Sequence, residues 1–373
     1  MIDYTKPSKH HRNSPILGCI MRLEIIGTET LGVRSLSCMI EAGGARILID
    51  PGVALGFTRH GLHPHPLQAA LGEEVRKRII KEWSRATDIV ISHLHGDHTP
   101  LPNPNPFQLG IQSVMNLNPD ARVWVKEEKL ANGIEKARLR ELKKKLGSQV
   151  VEAGPGEADG ILKFLGPFPH GEGSNTTVLV TLVEAGGKTL AHVPDTQLTC
   201  REAVEAVEKN SPDTIVAGGP PLYRWLVEAG SSLSLLGKAW ENALRLAGAC
   251  GTLVIDHHAM RSDEGPAWLE AVRVRAEEKT GCKVLCAAEL MEYPLLMLEA
   301  WRRTLYKLLP APNDWFRNPV LLEKLRRACT KILPHLKREL EKKKPTTEKS
   351  FETTLENALR KERGGEPWKR GKA

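Results

Sequence analysis

The sequence predicts an α/β protein built as a four-layer αββα sandwich. Strand and hairpin patterns open each half of the chain, and alternating strands and helices follow them, which suits two facing sheets better than a doubly wound one. The polar residues with the most chemistry fall at strand ends, where such a fold can gather them on one rim. At 373 residues with 41% hydrophobic content, the chain is long enough to bury a large core.

Residues 1–20 are polar, carry Pro7 and Pro15, and read as an irregular extension, with order beginning at Met21. Strands are expected at 22–26 and 36–40, and a Gly43-Gly44 turn leads into 46–49, which ends in Asp50-Pro51-Gly52. Residues 67–85 have helical periodicity, and 88–91 is a short apolar strand. The stretch 99–107 holds four prolines and must be a loop. A charged amphipathic helix is predicted over 127–146. Strands at 161–165, 177–184 and 188–193 follow, the last two joined by Gly186-Gly187. Helices at 201–209, 233–248, 264–279 and 294–308 then alternate with strands at 214–216, 252–256 and 283–285. A last helix near 319–341 contains Pro334, which should kink or break it. From Lys342 the chain is Lys-, Glu- and Thr-rich and is expected to be mobile. The domain organisation expected is an extension over 1–20, a catalytic-type unit over 21–310 and a basic extension over 311–373.

The net charge of +8 is unevenly placed. Residues 311–373 hold 17 Lys and Arg against 9 Asp and Glu, whereas the first 310 residues hold 36 of each. The body therefore has no general field for polyanions, and any nucleic-acid contact falls to the C-terminal extension. Seven scattered cysteines are the usage of a reducing compartment, so a cytoplasmic location is expected. Cys282 and Cys286 are the one close pair, and they lack the second pair that a zinc knuckle needs. No apolar run reaches the length of a membrane span, and no secretory signal is evident.

The strongest chemical signal is His93-Leu94-His95-Gly96-Asp97-His98, at the end of the strand 88–91. His93 and His95 are two apart in an extended segment, so both imidazoles leave one side and can meet one metal. Gly96 lets the chain turn, freeing Asp97 and His98 to face a second. Four residues cannot fill two metal sites. Further donors at strand ends are His170 before the 177–193 hairpin, Asp195 after it, and the pair His257 and His258 after 252–256. Weaker features are Arg34, Arg59, His60, His63 and His65, with Tyr223 and Arg224. They could reach an anionic substrate, but solvated loop charge is the simpler reading.

This ordered series of a His-Leu-His-Gly-Asp-His run, a His, an Asp and a last His resembles the ligand set of the metallo-β-lactamase superfamily. More narrowly, Thr30-Leu31-Gly32-Val33-Arg34-Ser35, the segment from Ile49 to Gly56, Gly218-Gly219-Pro220-Pro221 and Asp256-His257-His258 resemble an uncharacterised, mainly archaeal branch of predicted metal-dependent hydrolases. The similarity covers about residues 21–310, and Thr99 stands where that branch is expected to carry a further histidine. The resemblance implies the metallo-β-lactamase fold and two divalent metal ions, with zinc first and iron or manganese as alternatives. It puts His93, His95 and His170 on one metal, Asp97, His98 and His257 on the other, and Asp195 between them. His258 becomes a proton donor or substrate contact. Asp50 becomes the carboxylate that fixes a ligand histidine from behind, and His192 a core residue. A metal-activated hydroxide would attack, with Asp97 orienting it.

Three functions compete. A hydrolase of small molecules (ester, lactone, thioester or phosphoester) leads. A nuclease of the same superfamily is the alternative, although the 61 residues between Asp195 and His257 leave no room for a large inserted domain. A flavodiiron-like redox protein is disfavoured by His95, where those proteins carry Glu, and by the lack of length for a flavin domain. Oligomeric state is not encoded legibly.

Overall fold

The computed structural model describes residues 21–226, 231–343 and 348–362. The extension expected over 1–20 lies outside these residues, as do 344–347 and 363–373 of the tail.

The first half contains β1 (Arg22–Gly27), β2 (Ser37–Ala42), β3 (Ala45–Ile49), α1 (Pro66–Trp83), β4 (Asp88–Ile91), β5 (Arg122–Lys126), α2 (Gly133–Leu146) and β6 (Val150–Ala153). Its six strands form one sheet in sequence order, antiparallel through β3 and parallel from β3 to β6. The second half contains β7 (Ala158–Asp159), β8 (Leu162–Pro169), β9 (Thr177–Ala185), β10 (Lys188–Val193), α3 (Arg201–Glu208), β11 (Thr214–Gly218), α4 (Leu222–Trp225), α5 (Ser231–Ala249), β12 (Thr252–Asp256), α6 (Gly265–Thr280) and β13 (Lys283–Leu285). Here too the strands lie in sequence order, antiparallel through β10 and parallel from β10 to β13.

Burial supplies the layering. Ile40, Ile47, Ile49, Val90 and Trp124 of the first sheet pack against Leu162, Phe164, Leu179, Val183 and Leu190 of the second. The opposite face of the first sheet, with Leu48, Ile89 and Val123, is covered by Val75, Ile79 and Trp83 of α1 and by Leu139 and Leu142 of α2. Val193, Ile215 and Leu253 of the second sheet lie in one core with Val204 of α3, Ala243 of α5 and Val272 of α6. The protein is the αββα sandwich that the sequence predicts.

Several elements differ from expectation. β5 and β6 were not foreseen, although they complete the first sheet. The helix expected over 294–308 forms only in its second half, as α8 (Arg302–Leu308). Residues 294–301 are irregular chain and turn, in which Glu299 is wholly buried, and α7 (Ala287–Leu290) is a separate short helix before them. α9 (Pro319–Glu341) continues through Pro334 rather than ending there. The tail is also not mobile throughout. α10 (Glu348–Glu362) buries Phe351, Leu355, Ala358 and Leu359 against α8 and α9, and the Phe351 ring stacks on Trp301 at 4.1 Å. Lys- and Glu-rich composition masked an apolar stripe at helical spacing.

Candidate metal centre

Five strand ends deliver side chains to one place. β3 ends at Asp50, β4 at the His93–His98 run, β8 at His170, β10 at Asp195 and β12 at His257-His258. The histidine run follows β4 as bends and turns rather than continuing the strand, and there the chain crosses Gly52. A Cβ at Gly52 would lie 2.3–2.4 Å from the backbone of His98 and Thr99, so no other residue permits this approach without moving the site.

All seven residues expected as ligands converge. Nε2 of His98 lies 3.2 Å and Nε2 of His170 3.0 Å from Asp195 Oδ2, and Nε2 of His257 lies 3.3 Å from Asp195 Oδ1. His93 Nε2 is 3.0 Å from His95 Nδ1 and 3.7 Å from Asp195 Oδ2. Asp97 Oδ2 is 3.7 Å from His257 Nε2. Donor atoms fall into sets no wider than 4.8 Å: His93, His95, His170 and Asp195; Asp97, His98 and His257; and Asp195, His257 and His258. Asp195 thus sits between groups. His258 is in the cluster as well, 3.5 Å from Asp195 Oδ2 and stacked on His257.

Groups behind the histidines set their tautomers. Asp50 accepts from Ser92 N and Ser92 Oγ, both at 2.8 Å, and from His98 Nδ1 at 2.7 Å. Because Ser92 spends its proton on Asp50, His93 Nδ1 must donate to Ser92 Oγ at 3.0 Å. His257 Nδ1 donates to Glu29 Oε2 at 2.7 Å. In His93, His98 and His257 the outer nitrogen therefore holds a proton and Nε2 is the atom turned inward, with a lone pair to offer once the ring is neutral. Asp50 lies behind His98, hydrogen-bonded to its outer nitrogen. His192 is a core residue, donating from Nε2 to Leu36 O at 3.0 Å.

Electrostatics divide the imidazoles into neutral and charged ones and keep the central carboxylate ionised. Burial, with the neighbouring His98 and His95, drives the pKa of His93 well below its ordinary value, and burial brings His95 down to about 4. Burial works against charge on His98 too, but Asp195 and Asp50 hold its pKa well up. Burial would raise Asp195, yet His257 and His98 keep it well below the carboxylate range. One atom stands out: Asp195 Oδ1 is buried at the centre without a hydrogen-bond partner. An orphaned carboxylate oxygen faced by imidazole Nε2 atoms fits a bound divalent ion, which would displace any proton they carry.

Sequence reasoning missed Glu29 and Arg261. Arg261 is buried, bonds to Glu29 at 2.6 Å, and places Nη2 3.6 Å from Asp97 Oδ2. Glu29 follows the end of β1 as the other site residues follow theirs, and that placement is the signal that marks it. The reading of solvated loop charge is overturned for three residues. His65 is buried and caps α1, Arg34 is paired with buried Glu299 at 2.6 Å, and Arg59 is half-buried over the Tyr223 ring at 5.0 Å.

Fold and side chains together define an αββα protein with a histidine–aspartate cluster on the rim of its two sheets. The chain is 37% identical over 299 residues to a UPF0282 protein of Methanosarcina mazei, an alignment that takes in 79% of this chain and 95% of that one. It is 33% identical to a UPF0282 protein of Pyrobaculum calidifontis, over 77% of this chain and 95% of that one. It belongs to the UPF0282 protein family. No protein-family model matches it. Among solved structures, Zn(2+)-bound PqqB from Methylobacterium extorquens has a TM-score of 0.43 at 12% identity, covering 71% of this chain and 97% of its own. MEM-A1, a subclass B3 metallo-β-lactamase, has a TM-score of 0.30 at 13% identity, covering 58% and 89%. No helix among the described residues is long and apolar enough to cross a membrane.

Proposed function

We propose that the protein is a binuclear metal-dependent hydrolase of the metallo-β-lactamase superfamily, acting on a small molecule. The observation that carries this reading is Asp195, a buried carboxylate with one unpartnered oxygen, surrounded by histidines whose outer nitrogens are fixed. His93, His95 and His170 would hold one ion, Asp97, His98 and His257 the other, and Asp195 both. Zinc is the metal we assign, because imidazole and carboxylate donors suit it. Bound there, the ions would acidify a water and polarise the oxygen of the bond attacked. Asp97 Oδ2 would orient the attacking water, and His258 Nε2, 3.5 Å from Asp195 Oδ2, would hand a proton from that water to the leaving group. Glu29, Asp50 and Ser92 keep the imidazoles from rotating.

Residues 21–310 would form the catalytic unit and 311–373 an extension whose α9 and α10 dock on it. The balanced charge of the body favours a small substrate over a polynucleotide. We place the protein in the cytoplasm, since its described cysteines are all free.

Metal analysis of the purified protein tests this, followed by a screen of esters, lactones and phosphodiesters. The expected result is about two divalent ions per chain and turnover that chelation abolishes and zinc restores. His95→Ala should lose one ion and at least about a hundredfold in rate. A metal-free protein that still hydrolyses, or a fully active His95→Ala variant, ends the proposal.

A further inference from the structure

Beside the cluster, on the side of Asp97 and His257, four arginines meet two carboxylates. Glu29 takes Arg261 at 2.6 Å, and Glu299 takes both Arg34 and Arg302, each at 2.6 Å. That leaves Arg59. Its Nη2 donates to the Arg261 carbonyl at 2.6 Å, its Nε is buried with no partner, and no carboxylate lies within ion-pair distance among the described residues. Glu299, the acid whose charge it feels most, is already shared by Arg34 and Arg302 and makes no ion pair with it. The Arg59 guanidinium lies 5.0 Å and that of Arg261 5.8 Å from the Tyr223 ring centroid, so one aromatic ring gathers both cations next to the centre.

A half-buried guanidinium without an ion-pair partner of its own is costly. Desolvation by its surroundings weakens its hold on its proton; Glu299 offsets part of this, and Arg34 and Arg261 add to it. An anion seated against Arg59 would relieve the cost. The planar fork of a guanidinium matches the two oxygens of a carboxylate or phosphate. Arg261 links the position to the cluster, for its Nη2 is 3.2 Å from His257 Nε2 and 3.6 Å from Asp97 Oδ2.

Resting on the hydrolase reading, we propose that the substrate carries an oxyanion, phosphate or carboxylate, beside the bond cleaved, and that Arg59 recognises it against Tyr223. Neutral esters and lactones then lack a group that the site is built to hold. Arg59 is a specificity residue and touches neither metal ligands nor the candidate water-orienting carboxylate.

Titration calorimetry on the metal-loaded protein, with inorganic phosphate and acetate as probes, tests this without any turnover. Arg59→Gln should weaken phosphate binding at least about tenfold, with metal content and thermal midpoint as in the parent. Arg59→Lys keeps the charge and loses the fork, so about a threefold loss is expected; it also carries the test if the Gln variant fails to fold. Arg59-dependent binding that is tighter for phosphate supports a phosphoryl substrate, and the reverse order a carboxylate. Unchanged affinity for both anions in either folded variant overturns the proposal. Absence of turnover on every substrate class would instead strike the hydrolase reading, and the two failures are separable.

Discussion

Asp50 adopts a backbone conformation that few residues accept, with φ at 49°, and His257 does the same at 55°. Side chains other than Gly rarely occupy that region, and short polar ones pay least for it. Both residues end a strand at the cluster, so local strain is concentrated where side chains must be aimed. Asn tolerates the same conformation, which makes Asp50→Asn a clean charge deletion. Its amide cannot accept from His98 Nδ1 with both oxygens' worth of charge, and the His98 tautomer is released. Metal affinity at the site that includes His98 should fall about 10–100-fold, read by competition with a chromophoric chelator at a temperature where the variant is folded, since its amide NH2 faces a donor that the carboxylate accepted and lowers the thermal midpoint. Affinity within twofold of the parent would show that Asp50 has no such role. At this scale much of the site was legible, because His93–His98 is contiguous and ligand chemistry at strand ends is conspicuous. Glu29 and Arg261 were not. Their value comes from meeting each other across 232 residues of chain, which brings Glu29 to His257, and apart from the place of Glu29 after β1 nothing local announces it.

Strands read well where apolar runs or alternation are clean. β4, β10, β12 and β13 fall where the sequence puts them. β5 and β6 were hidden by polar residues that the structure neutralises: Lys126, 1% exposed, is held by Glu135 at 2.7 Å and by Thr177 O at 2.6 Å. The segment expected as a helix over 294–308 was misread for a related reason. Its apolar periodicity is real, but Glu299 at its centre ties three elements rather than lining a helix face. It accepts from Gly56 N after β3, from Gln68 Nε2 in α1, and from Arg302 in α8. Burial alone would raise its pKa; the Arg34 and Arg302 guanidiniums outweigh that and hold it at about 2. A folded-state pKa below the unfolded value means stability that is present above about 4.5 and lost as pH falls towards 2. Glu299→Gln should cost about 3–5 kcal/mol at pH 7, since it strands two guanidiniums. The difference between variant and parent in urea midpoint should shrink steadily from pH 5 to pH 2.5. A gap independent of pH would mean that Glu299 is not a charged clamp.

Across the whole molecule, charge and packing separate the two competing activities. All of the net positive charge belongs to residues 311–373, yet α9 and α10 are no loose appendage. Leu325 of α9 enters the core under α1 and α2, while Ile332, Leu333, Leu336 and Leu340 share a core with Leu67 and Leu71 of α1 and with Phe351. Deleting the segment would strip a hydrophobic face and destabilise the body, so lost activity in a truncation says nothing about polyanion binding. The informative change keeps the helix and removes its outer charge. Lys324, Arg327, Lys331 and Arg338 are exposed on α9, opposite its buried stripe. Replacing all four by Gln should leave the fold intact and weaken retention on heparin, flattening the dependence of log K on log salt by about 3. For a small-molecule hydrolase, kcat/KM on the best small substrate should stay within about twofold, because these charges lie on the outer face of a docked helix and the neutral body carries the chemistry. If RNA or DNA cleavage were the activity, its KM would rise in step with the lost heparin binding, and the nuclease reading would displace the one proposed here.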